Sequence, residues 1–302
     1  MEANVYRAMC RWLASFAHAG RRKREQFGDA WVIMVYLWSV INDRPVCWAC
    51  DERSWPERLL LAGNPLPSDS TMSARLRSVG VLQLMERLLT AITDAMPVPL
   101  VKTIDSKPML VGAYSKDRDA KRGRLATRQF ARGYRLHAIC HGRAVRTWLV
   151  ASLNENDSTV GPKLLKRLEG GGGYSVGDNA YDTNECHGRA SSAGHQLVAP
   201  ARFANRHVRD AKHNRPERLR ALDLLASPLE RCGQPNAFGV ALYDARESAE
   251  SCFGELSMRG LNYLPAWVRG PRRVALFTAA KLTLHAQRCV ERSGVKPVRW
   301  KS

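Results

Sequence analysis

Near residue 100 the spacing of apolar side chains changes, and that change limits what the chain can fold into. Before it, Val5, Met9, Trp12, Leu13 and Phe16 recur at three- and four-residue intervals, the period of a helix with one buried face. A second helix is expected over residues 30–41. It should stop at Asn42-Asp43-Arg44-Pro45, because the residue before a proline avoids helical torsions. A third is expected from Trp55, with Pro56 in its first turn, and residues 82–96 read as an amphipathic helix. Between them, residues 63–71 form a turn rich in capping side chains, followed by a helix over 73–79 that carries Arg75 and Arg77. This is a helix-turn-helix candidate. An ordinary packed helical pair is the competing reading, since the turn exceeds the usual ~3–4 residues.

After residue 100 the period becomes two. Tyr134-Arg135-Leu136-His137-Ala138-Ile139-Cys140 alternates polar with apolar, as a half-buried strand does. Val145-Arg146-Thr147-Trp148-Leu149-Val150 reads as its hairpin partner across His141-Gly142-Arg143. An earlier strand leads into Asp105. Beyond the hairpin come a helix over 160–168, a strand over 174–176, a helix over 183–193 and a strand over 196–199. Three strands followed by helix–strand alternation predict an α/β mixed sheet flanked by helices, the order of a ribonuclease H-like core, preceded by an all-α domain.

Three acids stand out on that frame. Asp105, in Thr103-Ile104-Asp105-Ser106-Lys107-Pro108, and Asp178, after Tyr174-Ser175-Val176-Gly177, both fall where strands should end. At 100° per residue Tyr243, Arg246, Glu250 and Phe253 share one helical face. Glu250 therefore has an arginine beside it, and an arginine can reach phosphate. Asp105 and Asp178 are 73 residues apart, Asp178 and Glu250 72, so one compact domain can gather all three. Carboxylates with water and substrate phosphate suit Mg²⁺, with Mn²⁺ as a substitute. Two such ions ~3.5–4 Å apart can drive an in-line phosphoryl displacement. Asp105 would bridge both ions, and Asp178 and Glu250 would each complete one. The plainer alternatives are a turn-forming aspartate and one more solvated glutamate, with Glu247 and Glu255 close by.

The chain has 302 residues and a formal charge of +19, which points to a polyanion as partner, most simply nucleic acid. Two basic segments, 115–124 and 202–220, read as loops facing phosphates, the second through Arg206, Arg209 and Lys212. Eight scattered cysteines form no regular framework and fit a reducing compartment. Cys47-Trp48-Ala49-Cys50 lacks a second pair at zinc spacing. The start lacks the pattern of a signal peptide. The apolar run 31–41 is too short to span a bilayer, so no membrane partner is expected.

With these motifs the chain resembles the DDE transposases of bacterial insertion sequences over most of residues 101–290. The resemblance rests on Ile104-Asp105-Ser106-Lys107-Pro108, Gly133-Tyr134-Arg135-Leu136-His137, Gly177-Asp178-Asn179-Ala180-Tyr181-Asp182, the Tyr243, Arg246, Glu250 signature, and a leucine- and arginine-rich tail. The family's lysine, seven residues after the glutamate, is Ser257 here, with Arg259 as a nearby cation. The resemblance implies a Mg²⁺-dependent site at Asp105, Asp178 and Glu250, with Lys107, Tyr243 and Arg246 contacting DNA. It implies cleavage of transposon terminal repeats, strand transfer into target DNA, a homodimer in a DNA synapse, and a cytoplasmic, nucleoid-associated protein. The corresponding division is a helical domain over 1–98, a catalytic domain over 99–290 with a small basic insertion about 202–240, and a basic tail over 291–302. Two rivals remain: another metal-dependent nuclease on the same core, and a decayed or domesticated copy that binds DNA without cutting it.

Overall fold

The computed structural model describes residues 2–16, 26–56, 59, 65–168, 171–202, 209–226 and 237–294. The chain divides into two compact units. One is Met1–Pro97 with Arg259–Leu261 and Pro265–Ser302; the other is Val98–Met258 with Asn262–Leu264. In chain order the first part holds helices α1 (Glu2–Ser15), α2 (Asp29–Ile41), α3 (Val46–Ala49), α4 (Asp69–Arg75) and α5 (Val79–Asp94). Strands β1 (Val101–Leu110), β2 (Lys121–Arg124), β3 (Phe130–His141) and β4 (Ala144–Ser152) follow, then α6 (Asp157–Leu165), β5 (Gly173–Val176), α7 (Asn184–Ser192) and β6 (His195–Val198). The chain continues with α8 (Pro216–Leu224), α9 (Ala237–Asp244), α10 (Glu247–Leu256) and α11 (Pro271–Ser293).

The helical unit is built around α5 and α11. On α5, Val81, Leu84, Met85, Leu88, Leu89 and Ile92 are buried at helical spacing. Helix α11 is buried nearly throughout, and several of its interior polar groups find partners. Gln287 accepts the Trp12 indole N–H at 3.0 Å, and the Lys281 ammonium reaches Asp43 at 2.5 Å and the Arg259 carbonyl at 2.8 Å. The expected helix from Trp55 is not seen at Trp55 and Pro56. Trp55 follows a single 3₁₀ turn, Glu52–Ser54, and stacks on Trp38 with Tyr6 edge-on; most of 57–64 lies outside the described residues. The helix expected over 73–79 also differs. Helix α4 ends at Arg75, because the Ser78 hydroxyl caps a new helix by accepting the Val81 N–H. Arg75 turns inward to Asp29 at 2.5 Å. Four consecutive basic residues, Arg21-Arg22-Lys23-Arg24, lie outside the described residues.

The second unit carries, among the described residues, a six-stranded sheet in the order β2-β3-β1-β5-β6, with β4 also paired to β3. Strands β1, β3 and β4 pair antiparallel, while β5 and β6 join β1 in parallel. That is the expected ribonuclease H-like order. Helices α6 and α7 cover one face over Ile104, Ile139, Leu164, Tyr181 and Leu197; Leu242 of α9 packs with Val176 and Val198 on the other. Four expectations are corrected. Asp105, expected at a strand end, lies midway along β1, because β1 stays paired to β3 as far as Leu110. The basic segment 202–220, expected as a loop, becomes helix α8 from Pro216, a residue suited to a first helical turn. Part of the basic loop 115–124 is strand β2, paired to β3, with Gly123 so close to the Leu153 carbonyl that a Cβ would meet it at 2.4 Å. The single helix expected through residues 243–257 is two, α9 and α10, separated at Ala245 and Arg246.

The motif residue Asp182 is structural. Its fully buried carboxylate takes a two-pronged ion pair from Arg218, at 2.8 and 2.6 Å, together with the Arg202 backbone N–H and His187. Burial alone would raise its pKa, but these donors outweigh it and hold Asp182 at about 2. The pair pins α8 to the sheet unit. Removing one partner of a buried pair costs about 3–5 kcal/mol. Arg218→Ala should lose stability on that scale in a denaturant titration. Arg209→Ala, whose ion pair with Asp223 is solvent-exposed, should lose about 0–1 kcal/mol.

Candidate active site

Strand register brings the first two acids together. Thr103 of β1 lies beside Val176 of β5 in the parallel ladder. Asp105 stands two residues further along β1 and Asp178 two residues beyond the end of β5, at the start of a turn, and the two carboxylates are close enough to repel each other. Asp105 accepts the Ser106 backbone N–H at 2.8 Å. Asp178 caps the 3₁₀ turn Asn179–Tyr181 by accepting the Ala180 N–H at 2.9 Å. Gly177 makes this approach possible, since a Cβ there would meet Ile104 at 2.8 Å and the Tyr181 ring at 3.0 Å.

Placing two carboxylates side by side, half out of water, resists ionisation. Burial pushes Asp105 up to about 6. The Ser106 N–H opposes this, Asp178 and Asp157 add to it, and the Arg246 guanidinium relieves it. Asp178 is raised as well, first by burial and then by Asp157, against the Ala180 N–H, Arg246 and Arg135.

Helix α10 packs against the sheet through Ala249, Cys252, Phe253 and Leu256, with the Cys252 thiol on that of Cys140 in β3. Arg246, just before α10, lies 3.5 Å from Glu250 and donates to the Tyr243 hydroxyl at 3.4 Å. Despite the helix break, Tyr243, Arg246 and Glu250 thus remain one group, and Arg246 links it electrostatically to Asp105 and Asp178. Glu250 itself is 61% exposed. Among the described residues no group of three or more His, Cys, Asp or Glu side chains is placed to hold a metal ion. Asp105 and Asp178 still fit a hard divalent cation, because they offer oxygen donors whose mutual repulsion such an ion would remove.

The expected DNA contacts divide. Lys107 is 8% exposed, and its ammonium is held by the Ser257 hydroxyl and, at 2.5 Å, by the Asn262 side-chain carbonyl. Burial lowers its pKa. Lys107 therefore clamps the segment after α10, with its charge at the position where Ser257 replaces lysine. Arg209 pairs with Asp223 at 2.8 Å, Lys212 is exposed, and Arg206 lies outside the described residues.

A family model for the transposase DDE domain matches residues 91–285, more than half of the chain. The chain belongs to the transposase DDE domain family. Among solved structures it is similar to the cryo-EM structure of a piggyBac transposase synaptic complex with hairpin DNA. The identity is 11% and the TM-score 0.47, over 98% of this chain and 74% of that one. No curated protein matches the chain. No helix among the described residues is long and apolar enough to cross a membrane.

In this DDE domain one acid escaped the sequence reading. Asp157, in the first turn of α6, faces His137 at 3.1 Å, Arg135 at 3.2 Å and the Tyr181 hydroxyl at 3.2 Å. Burial would raise its pKa; hydrogen bonds from His137 and Ser106, with Arg135, instead hold it at about 2. It is a permanent negative charge behind the Asp105–Asp178 pair. The available signal was Asn156-Asp157 at a helix start. In metal-free protein the raised pKa of Asp105 means the folded state binds that proton more tightly than the unfolded chain. Its charge therefore becomes a cost as pH rises from about 4 through about 6. Asp105→Asn should stabilise the metal-free protein by about 1–3 kcal/mol near pH 7.5 and barely change it near pH 4. Thermal melts across that range check the sign.

Proposed function

We propose that this protein is an active transposase that cuts transposon ends and transfers the freed strand into target DNA. The observation that carries the proposal is the approach of Asp105 on β1 to Asp178 just after the adjacent parallel strand β5, with Arg246 linking them to Glu250. Asp105 and Asp178 hold divalent cations, Mg²⁺ or Mn²⁺. Glu250 completes the set when Arg246 leaves it for a DNA phosphate, a charge-assisted contact that guanidinium forms well. The bound ions supply activation of the attacking oxygen and stabilisation of the leaving one. Tyr243 holds the Arg246 guanidinium toward the scissile strand. Asp157 keeps the site negative, and Lys107 fixes the chain just beyond α10. The helical unit contacts the terminal repeat, two copies pair the ends in a synapse, and the reaction takes place at the bacterial nucleoid.

Asp105→Ala, Asp178→Ala and Glu250→Ala should each abolish Mg²⁺-dependent cleavage of terminal-repeat DNA, by on the order of a thousandfold or more, while retaining DNA binding. Glu247→Ala should cut normally. Wild-type protein that binds terminal-repeat DNA without cutting it in Mg²⁺ or Mn²⁺ would favour the decayed copy. Cutting without end pairing or strand transfer would favour a simple nuclease.

A further inference from the structure

The β2–β3 hairpin carries a surface that packing does not explain. Strand β2 is an edge strand, and three of its four residues are basic and exposed. Its register sets Arg122 directly opposite Arg132 and Arg124 opposite Phe130, on one face by the alternation of a strand. Like charges directly opposite each other destabilise a sheet. Arg132 is committed to the Ser115, Ala120 and Asp117 carbonyls, where it stiffens the preceding loop. The Arg122 guanidinium lies 5.2 Å from the Phe130 ring centre, and Phe130 is 60% exposed. Tyr114, at the loop entrance, is 98% exposed. At the hairpin tip Arg128 stands at φ 65°, a conformation that costs a non-glycine residue of order 1 kcal/mol. Of the two acids in this stretch, Asp117 is buried against the Tyr134 hydroxyl at 2.9 Å and Asp119 is exposed, so the exposed cations outnumber the exposed acid.

Basic residues alone on an edge strand serve to block strand addition. That purpose does not call for two aromatic rings in solvent beside mutually repelling arginines. We infer that this hairpin is a binding surface for unpaired DNA, with Arg122 and Arg124 on the backbone phosphates and Phe130 and Tyr114 stacking on exposed bases. Cations along a strand's path with interleaved aromatic faces are what such binding requires. The partner's negative charge also removes the repulsion built into the free hairpin. The position suits a DNA end. Gly133 of β3 pairs with Leu110, five residues along β1 from Asp105. At about 3.3 Å per residue the hairpin begins roughly 17 Å from the acids, about five nucleotides at duplex spacing.

The inference rests on the DNA reading above, and one experiment separates the two. Full-length protein, without divalent metal, is titrated by fluorescence anisotropy against a labelled blunt duplex. The titration is repeated with the same duplex extended by a single-stranded tail at either the 3′ or the 5′ end. Wild type should prefer one tailed form. Phe130→Ala with Tyr114→Ala should lose about tenfold or more on that form, given the usual worth of base stacking, and less than twofold on the blunt duplex. Phe130→Leu keeps the apolar bulk and should lose affinity for the tail in the same selective way. Arg122→Ala with Arg124→Ala should weaken both DNAs and flatten the log–log salt slope by about two units. Aromatic variants that bind every DNA like wild type, or that lose blunt and tailed DNA equally, overturn the hairpin assignment and leave the DNA reading standing. Wild type that binds none of the DNAs overturns both.

Discussion

The sheet unit is organised around an unfavourable contact. Two carboxylates, one on β1 and one just after the adjacent parallel strand β5, are brought close together, and each resists giving up its proton. Backbone register and the bare Gly177 enforce the approach, the Ser106 and Ala180 N–H groups soften it, and Arg246 supplies a compensating positive charge. Folded structure of this kind stores electrostatic free energy that a bound cation would release, and perturbed acids cluster at functional sites.

Charge is sorted along the strands to match. At the carboxyl end of β5, beside Asp105 midway along β1, α6 begins with Asp157 and the turn after β5 begins with Asp178, where helix dipoles favour negative charge. Toward the opposite end, Lys102 donates to the Gly172 carbonyl at 3.2 Å. His141 is pushed down to about 4 by burial and by Arg146, Lys102 and His195. The sheet unit thus has acids gathered around Asp105 and Asp178 and cations gathered around His141. The carboxyl ends of parallel strands beside a change in strand order are where open α/β sheets bind ligands.

Much of this was legible in the sequence because it depends on local pattern. Alternation gave β3 and β4, the short apolar runs gave β5 and β6, and the aspartate just after β5 was marked correctly, whereas Asp105 lies midway along β1. What was not legible depends on partners far away in the chain. Lys-Arg-Gly-Arg reads as a loop, and only the Leu153 carbonyl over Gly123 and pairing to residues 130–133 make it a strand. Arg218 reads as one more cation of a DNA-facing run until Asp182, 36 residues earlier, captures it. Asp157 gains its meaning from Arg135, His137 and Tyr181. No proline or glycine marks the break at Ala245 and Arg246.

The central claim is that Asp105 and Asp178 form a cation site whose occupancy competes with a proton. Mn²⁺ affinity of the full-length protein, followed by electron paramagnetic resonance in the absence of DNA, tests it most directly. Affinity should rise with pH up to about 6, where Asp105 loses its proton, and level off above about 7. An affinity that is flat from about pH 5 to about pH 8, or no saturable Mn²⁺ binding at all, would contradict the account.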